Sequence, residues 1–342
     1  MSDFLEIDGS EGEGGGQIVR TSLALSACTG RPVAIRRIRA GRKKPGLMRQ
    51  HLTSAQAAAR VCSAQLEGAA IGATEIEFRP NTIAPGEFRF AVGSAGSTTL
   101  VLQTVLPPLL RSGGVSTVEI TGGTHNPWSP PFDFLARSFL PLLQRFGVKV
   151  EAELKRPGFF PAGGGQIRVR IEAPDSLRPT ELLERGEVVR RRAVARIAEL
   201  DHEIAERELG VVRRKLGFRP DELELDAVRG SLGPGNVIAI EHECEHVTEV
   251  HTGFGERGVK AERVAGRAVN EARQWLASGV PVGEHLADQL LIPMALAGRG
   301  AFRTQKPTLH TTTNCEVIER FLPVRFDVTE DGDAWVVRVA PR

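Results

Sequence analysis

His310-Thr311-Thr312-Thr313-Asn314, followed by Glu319-Arg320-Phe321-Leu322-Pro323, sets a lone imidazole immediately before a stretch that reads as an amphipathic helix. Val317, Ile318 and Phe321 recur at helical spacing, and Thr312 or Thr313 supplies the N-cap. A helix start offers free N–H groups and the positive end of a dipole, so a phosphate would sit naturally beside His310. Positive surroundings bias an imidazole towards its neutral form, the form able to attack phosphorus. On this segment alone, a satisfied loop histidine is the plainer reading. Cys315 lies close enough to be considered as a thiol nucleophile, but its neighbours place it on a helix face turned to a core.

The opposite end of the chain adds a second phosphate signal. Gly12-Glu13-Gly14-Gly15-Gly16-Gln17-Ile18-Val19-Arg20 opens a helix with Arg20 one turn inside it. Consecutive glycines let backbone amides approach an anion closely. The loop is not a Walker loop, since no Gly-Lys-Ser/Thr occurs, and it lacks the third glycine of a dinucleotide fingerprint. A tight strand-to-helix turn has the same look. The basic stretch Arg36, Arg37, Arg39, Arg42, Lys43, Lys44 and Arg49, ending in Gln50-His51, strengthens the phosphate reading. Planar guanidinium groups such as Arg39 and Arg42 grip phosphate oxygens in pairs and keep their charge.

Taken in order, GEGGGQ, IRAGRKKPGL with RQHL behind it, GSAGSTTLVLQ, PAGGG, ADQLLIPMAL, HTTTN and ERFLP resemble the RNA 3′-terminal phosphate cyclases, in their bacterial, catalytic branch, over essentially the whole length. The resemblance implies ATP as co-substrate, RNA with a 3′-phosphate end as partner, and Mg2+ or Mn2+ as the metal. It implies that His310 attacks the α-phosphorus of ATP to form a covalent histidine-AMP, that the adenylate passes to the RNA as RNA(3′)pp(5′)A, and that the neighbouring 2′-hydroxyl closes a 2′,3′-cyclic phosphate. By the same resemblance Glu13 is the metal ligand, and Arg20, Arg39 and Arg42 are catalytic, with Gln50 and His51 lining the phosphate and RNA-end pocket. Gln103 matches a polar nucleotide contact, Asp288 and Gln289 the nucleotide side, and Pro130 the border of the base. His285 stands where some relatives place a tyrosine near adenine; this chain has no tyrosine. Asp288 also reads as a helix N-cap, and Gln50 and His51 as an exposed helix face. Inactive relatives that serve ribosome assembly lack the nucleophilic histidine. A non-catalytic RNA-binding scaffold of this kind and, from another class, an enolpyruvyl-transferase-like enzyme are the competing readings.

The elements that must position these residues follow from composition and periodicity. With 342 residues, 44 basic and 42 acidic, the chain can bury a large core and is not a generally basic nucleic-acid coat, so RNA contact must come from local patches. An acidic start without an apolar segment argues against a signal peptide, and no apolar run is long enough to span a membrane, so the expected location is the cytoplasm, with no obligate protein partner evident. The four cysteines, Cys28, Cys62, Cys244 and Cys315, show no paired spacing. His242, Cys244 and His246 alternate as on one strand face; zinc is conceivable, but a solvated face in a charged segment is the expectation.

The expected fold class is α/β (α+β): three repeated βαβαββ-like units around buried helices, residues 1–183 and 280–342, with a small inserted βαββα domain at 184–279. Each repeat reads as a helix, a strand, a second helix and a closing strand pair. The first takes Gly16–Thr29, Val33–Arg39 and Leu47–Leu66, and closes on Glu75–Arg79 and Glu87–Ala91.

Overall fold

The computed structural model describes residues 4–342. In chain order it begins with β1 (Leu5–Asp8), α1 (Gly16–Thr29), β2 (Val33–Arg36), α2 (Arg49–Val61), β3 (Gln65–Glu67) and β4 (Ile76–Arg79). Next come β5 (Glu87–Ala91), α3 (Thr98–Leu109), β6 (Val115–Gly122), a helical stretch α4 over 132–146, β7 (Lys149–Arg156), β8 (Gly165–Glu172) and β9 (Thr180–Leu182). A separate segment follows: β10 (Val188–Ala198), α5 (Glu203–Leu216), β11 (Leu223–Ala227), β12 (Gly235–Cys244), β13 (Thr248–Phe254) and α6 (Ala261–Ser278). The chain closes with α7 (Glu284–Leu296), β14 (Gly300–Thr304), α8 (Leu309–Phe321), β15 (Val324–Asp331) and β16 (Ala334–Pro341).

Three four-stranded sheets, β1-β2-β4-β3, β5-β6-β8-β7 and β9-β14-β16-β15, share one strand order. In each, the first pair is parallel and the other two are antiparallel. A parallel pair needs a crossover, and α1 and α3 supply it in the first two sheets. In the third, the whole β10–α6 segment is threaded between β9 and α7. Its strands make a fourth sheet, β11-β10-β12-β13, with a core of its own that includes Ala195, Val212, Ile240 and Ala268. The three other sheets share a single core, and most of the side chains of α1, α3 and α7 are buried. Helices this apolar all round belong in an interior. Among the described residues no helix is long and apolar enough to cross a membrane.

Three expectations are corrected. Glu87–Ala91 does not close the first sheet but opens the second, pairing in parallel with β6 from Glu87 opposite Thr117 to Ala91 opposite Thr121. The next helix carries the chain across to β6, which fixes that partner. The inserted segment is βαβββα rather than βαββα: acidic Leu223–Ala227 adds a strand parallel to β10, and the run Val237–Glu249 breaks at Glu245-His246 into two antiparallel strands. His242 and Cys244 are buried rather than solvated, and His246 lies outside the strands. The His242 ring packs 6.0 Å from that of Trp275 and 6.4 Å from that of His251. Among the described residues no three metal-binding side chains gather.

Arg196 on β10 ties the inserted segment to the second sheet unit, donating to Asp133 at 2.6 Å while also holding Asp226 at 2.7 Å. At the segment's ends, Arg185 donates to the carbonyls of Trp275 and Leu276 at 3.2 and 3.1 Å.

Candidate active site

Helix α8 begins at Leu309, and Thr308 caps it, its hydroxyl oxygen accepting the Thr311 N–H at 3.3 Å. His310 therefore sits inside the first turn rather than before the helix, and neither Thr312 nor Thr313 is the cap; four nearby threonines offer several cap registers, and the earliest wins. The His310 ring is half exposed and places Nδ1 2.7 Å from Oε1 of Gln17, a buried side chain in the first turn of α1. With that amide oxygen accepting Nδ1–H, the lone pair stays on Nε2. Nε2 lies 3.9 Å from Oε1 of Glu13. Burial, and then the charges of Arg20 and Arg42, hold the imidazole below its ordinary pKa, so it is neutral at physiological pH.

The residues behind His310 stitch α8 to its neighbours. Thr311 donates its hydroxyl to Asp288 at 2.7 Å, and Thr313 Oγ1 accepts the Glu13 backbone N–H at 3.0 Å. Asn314 Oδ1 accepts from the Thr21 hydroxyl at 2.8 Å. Gly12 adopts φ +52, and a Cβ there would strike the Thr313 side chain, so the close approach of the glycine loop to α8 requires glycine.

Arg20 is enclosed, and its Nε donates to Gln103 Oε1 at 3.2 Å. Burial brings its pKa down to about 10, which still leaves a cation. His51 Nδ1 accepts the Met48 N–H at 3.1 Å at the start of α2. Burial, and then Arg20 and Arg39, push its pKa down to about 3, so it presents a neutral Nε2–H towards Gly16 and Arg20. Gln50 Oε1 accepts the Ser97 N–H at 2.9 Å, joining the starts of α2 and α3. Neither side chain lies on an exposed helix face. Arg42 donates to the Glu13 carbonyl at 2.8 Å and also pairs with its carboxylate. Glu13 Oε2 is buried with no hydrogen-bond partner among the described residues.

His310, Glu13, Gln17, Arg20, Arg42 and His51 thus gather where α1, α2 and α8 begin, with Asp288 held behind through Thr311. Cations and helix N-termini in one place favour a polyanion such as a phosphate chain. Asp288 is not an N-cap, because Gly283 holds that position; burial raises its carboxyl to about 7. Gln289 is buried beside it on α7. Two residues stand apart from the cluster. Arg39, itself at φ +54, spends its guanidinium on the Lys44 and Gly46 carbonyls at 2.8 Å each. His285 is exposed at the start of α7, with Nε2 3.6 Å from Glu284. The Pro130 carbonyl accepts from Thr99 at 2.6 Å, which fixes it against the first turn of α3, one turn before Gln103. Cys315 is buried and its thiol pKa is driven upward, which removes it as a nucleophile.

Gln17 had no assigned role in the sequence reading. Its place directly after the glycines was visible, but nothing in the spacing shows that it meets an imidazole 293 positions away.

The chain is similar to known proteins over nearly its whole length. A family model described as RNA 3′-terminal phosphate cyclase matches residues 11–328. A protein of that name from Koribacter versatilis is 47% identical over 99% of this chain and 96% of its own length. One from Salmonella typhimurium is 46% identical over 99% of this chain and 100% of its own. One from Pseudomonas fluorescens is 50% identical over 95% of this chain and 94% of its own. With the match running through the glycine loop, the arginine stretch and the His310 helix, the chain belongs to the RNA 3′-terminal phosphate cyclase family.

Proposed function

We propose that this site converts an RNA 3′-phosphate to a 2′,3′-cyclic phosphate at the expense of ATP, with His310 as nucleophile. Nε2 of His310 attacks the α-phosphorus; a P–N bond forms, the bond to the β-phosphate oxygen breaks, and pyrophosphate leaves. An oxygen of the RNA 3′-phosphate then attacks the same phosphorus and expels the imidazole, giving RNA(3′)pp(5′)A. Finally the vicinal O2′ attacks the RNA phosphorus, loses its proton, and releases AMP. That last step is intramolecular, so positioning supplies much of its acceleration. Arg20 and Arg42 neutralise charge as pyrophosphate departs, and neutral His51 donates an N–H to a phosphate oxygen.

The observation that carries this reading is the Nδ1 contact to Gln17, which leaves a neutral Nε2 lone pair between a carboxylate and two arginines. Glu13, with a buried unpartnered oxygen, fits a hard cation that takes one protein carboxylate and completes its shell with phosphate oxygens and water. Magnesium or manganese held there would supply further charge neutralisation to the phosphates. Gln103 on α3, Gln50 and Pro130, which bond at the start of that helix, and Asp288, Gln289 and His285 on α7 make up the nucleotide side. Arg39 shapes the loop that carries Arg42. Residues 184–279 act as an accessory unit away from the chemistry, and a cytoplasmic location suits these substrates.

Incubation with α-labelled ATP and magnesium, followed by denaturing electrophoresis, tests the reading. An acid-labile, alkali-stable labelled band, lost in a folded His310→Ala variant, is expected. A variant that still forms the adduct would overturn the assignment.

A further inference from the structure

Trp128 is 92% exposed and adopts φ +64. A bulky residue in the left-handed region is a genuine outlier, and an indole held in water forgoes a large hydrophobic gain. Such strain persists only where surrounding structure enforces it. Here the enforcement is visible. Asn126 Nδ2 donates to the Ala95 carbonyl at 2.6 Å, His125 forms a β-bridge with Phe159, and Pro127, Pro130 and Pro131 stiffen the same loop. The Pro130 carbonyl is tied to Thr99 on α3, one turn before Gln103. Trp128 is thus presented rigidly, two residues from a carbonyl held one helical turn before Gln103, the residue that accepts from Arg20.

Its surroundings suit a nucleic-acid strand. Phe160, 62% exposed, follows the residue that bridges His125, so two exposed aromatic rings stand on neighbouring loops. The Ala95 loop that anchors Asn126 continues back to Gly93, where the exposed Arg49 side chain approaches within 3.6 Å of a Cβ position and forms no ion pair among the described residues. Unstacked bases of single-stranded RNA bind on exposed aromatic faces, while a free guanidinium takes the phosphates between them.

We infer that Trp128 is a stacking platform for a base of the RNA substrate upstream of its 3′-phosphate, with Arg49 on the adjoining backbone. This rests on the cyclase reading of the neighbouring site, and the test separates the two. Trp128→Ala and Trp128→Phe are assayed for histidine adenylation without RNA and for cyclisation with short RNAs carrying an abasic nucleotide at successive positions. The expected result is unchanged adenylation in both variants and a rise of about 10- to 100-fold in the KM for RNA in Trp128→Ala, largely restored by Trp128→Phe. One abasic position should cost the wild type as much as the indole loss does, and should cost Trp128→Ala nothing more. The indole fluorescence should be quenched on binding intact RNA but not that abasic RNA. An RNA KM within twofold of wild type in Trp128→Ala overturns the inference. So does a raised KM for ATP in the adenylation step, which would assign the ring to adenine, or a dimer that the variant dissociates, which would assign it to a second copy. Loss of adenylation in the wild type would instead sink the cyclase reading.

Discussion

Gln17 accepts a hydrogen bond from Nδ1 of His310 at 2.7 Å, joining the first turns of two helices 293 positions apart. That bond selects the tautomer whose free lone pair is on Nε2. Gln17→Ala should slow histidine adenylation about 10- to 100-fold, the range of a lost positioning hydrogen bond. Cyclisation of pre-adenylated RNA, which does not use the imidazole as nucleophile, should change far less. Equal losses in both steps would mean that Gln17 acts elsewhere.

His310 is held below its ordinary pKa first by burial, then by Arg20 and Arg42. The neutral imidazole therefore survives into mildly acidic solution, and with His310 as the proposed nucleophile the acid limb of the adenylation rate should fall below the free-imidazole value of about 6.5. Removing a neighbouring cation in Arg42→Ala should move that limb upward. A limb at or above 6.5 in the wild type would contradict the electrostatics described.

Two of the three arginines matched by family resemblance, Arg42 and Arg39, should not behave alike. Arg42 touches Glu13, and Arg42→Ala should cost about 2–4 kcal/mol in kcat/KM, typical of a lost charged contact to a transition state. Arg39 serves loop carbonyls, so Arg39→Ala should act through loop order, with the larger effect on protease susceptibility between Arg37 and Lys44. Equal kinetic losses without loop exposure would place Arg39 on substrate after all.

Glu13→Gln keeps the size of the side chain and removes its charge. Binding of Mn2+ to the ATP complex, followed by electron paramagnetic resonance, should weaken, and raised metal should recover part of the adenylation rate. Unaltered Mn2+ affinity would leave the buried Oε2 without that role.

Glu249 is buried in the inserted segment against Gly283, and burial raises its carboxyl to about 8. An unfolded glutamate ionises near 4.5, so this group's contribution is fully present below that value and is lost as pH rises towards 8. His51, His242 and His251 act in the opposite sense: with pKa values of about 3, 4 and 3, their contribution is present above 6.5 and is lost as pH falls. Glu249→Gln should accordingly raise Tm at pH 8 by several degrees and much less at pH 5. The same gain at both pH values would mean that Glu249 is ionised in the folded protein.

Much of the architecture was legible because each α/β unit declares itself locally: helix α1 has the predicted bounds, and the buried first helices of the other units are apolar nearly all round. The strand Glu87–Ala91 was placed in the wrong sheet because alternation marks a strand without naming its partner. His310, Glu13, Arg20 and Arg42 could be picked from motifs. Arg39 and Gln17 show the limit, since a guanidinium satisfied by its own loop and an amide reaching a distant imidazole are three-dimensional facts. His242 was misread because a charged neighbourhood in sequence hid a face covered by Trp275 and His251.

Threading β10–α6 between β9 and α7 has a consequence for how the chain reaches this structure. Leu5 faces Val33 and Glu87 faces Thr117 in the first two parallel pairs, whereas Thr180 must find Gly300 in the third, roughly four times farther along the chain. For an unstructured connection, two doublings of length add about 1.2 kcal/mol of closure entropy and lengthen the search. A segment that condenses first and has its ends drawn together, as Arg185 does by gripping Trp275 and Leu276, turns that long excursion into a short one. His310 follows β14 closely in the chain, so closing the third parallel pair is also what brings its imidazole to Gln17 and Glu13, and under the proposed reaction adenylation would depend on that long-range pairing.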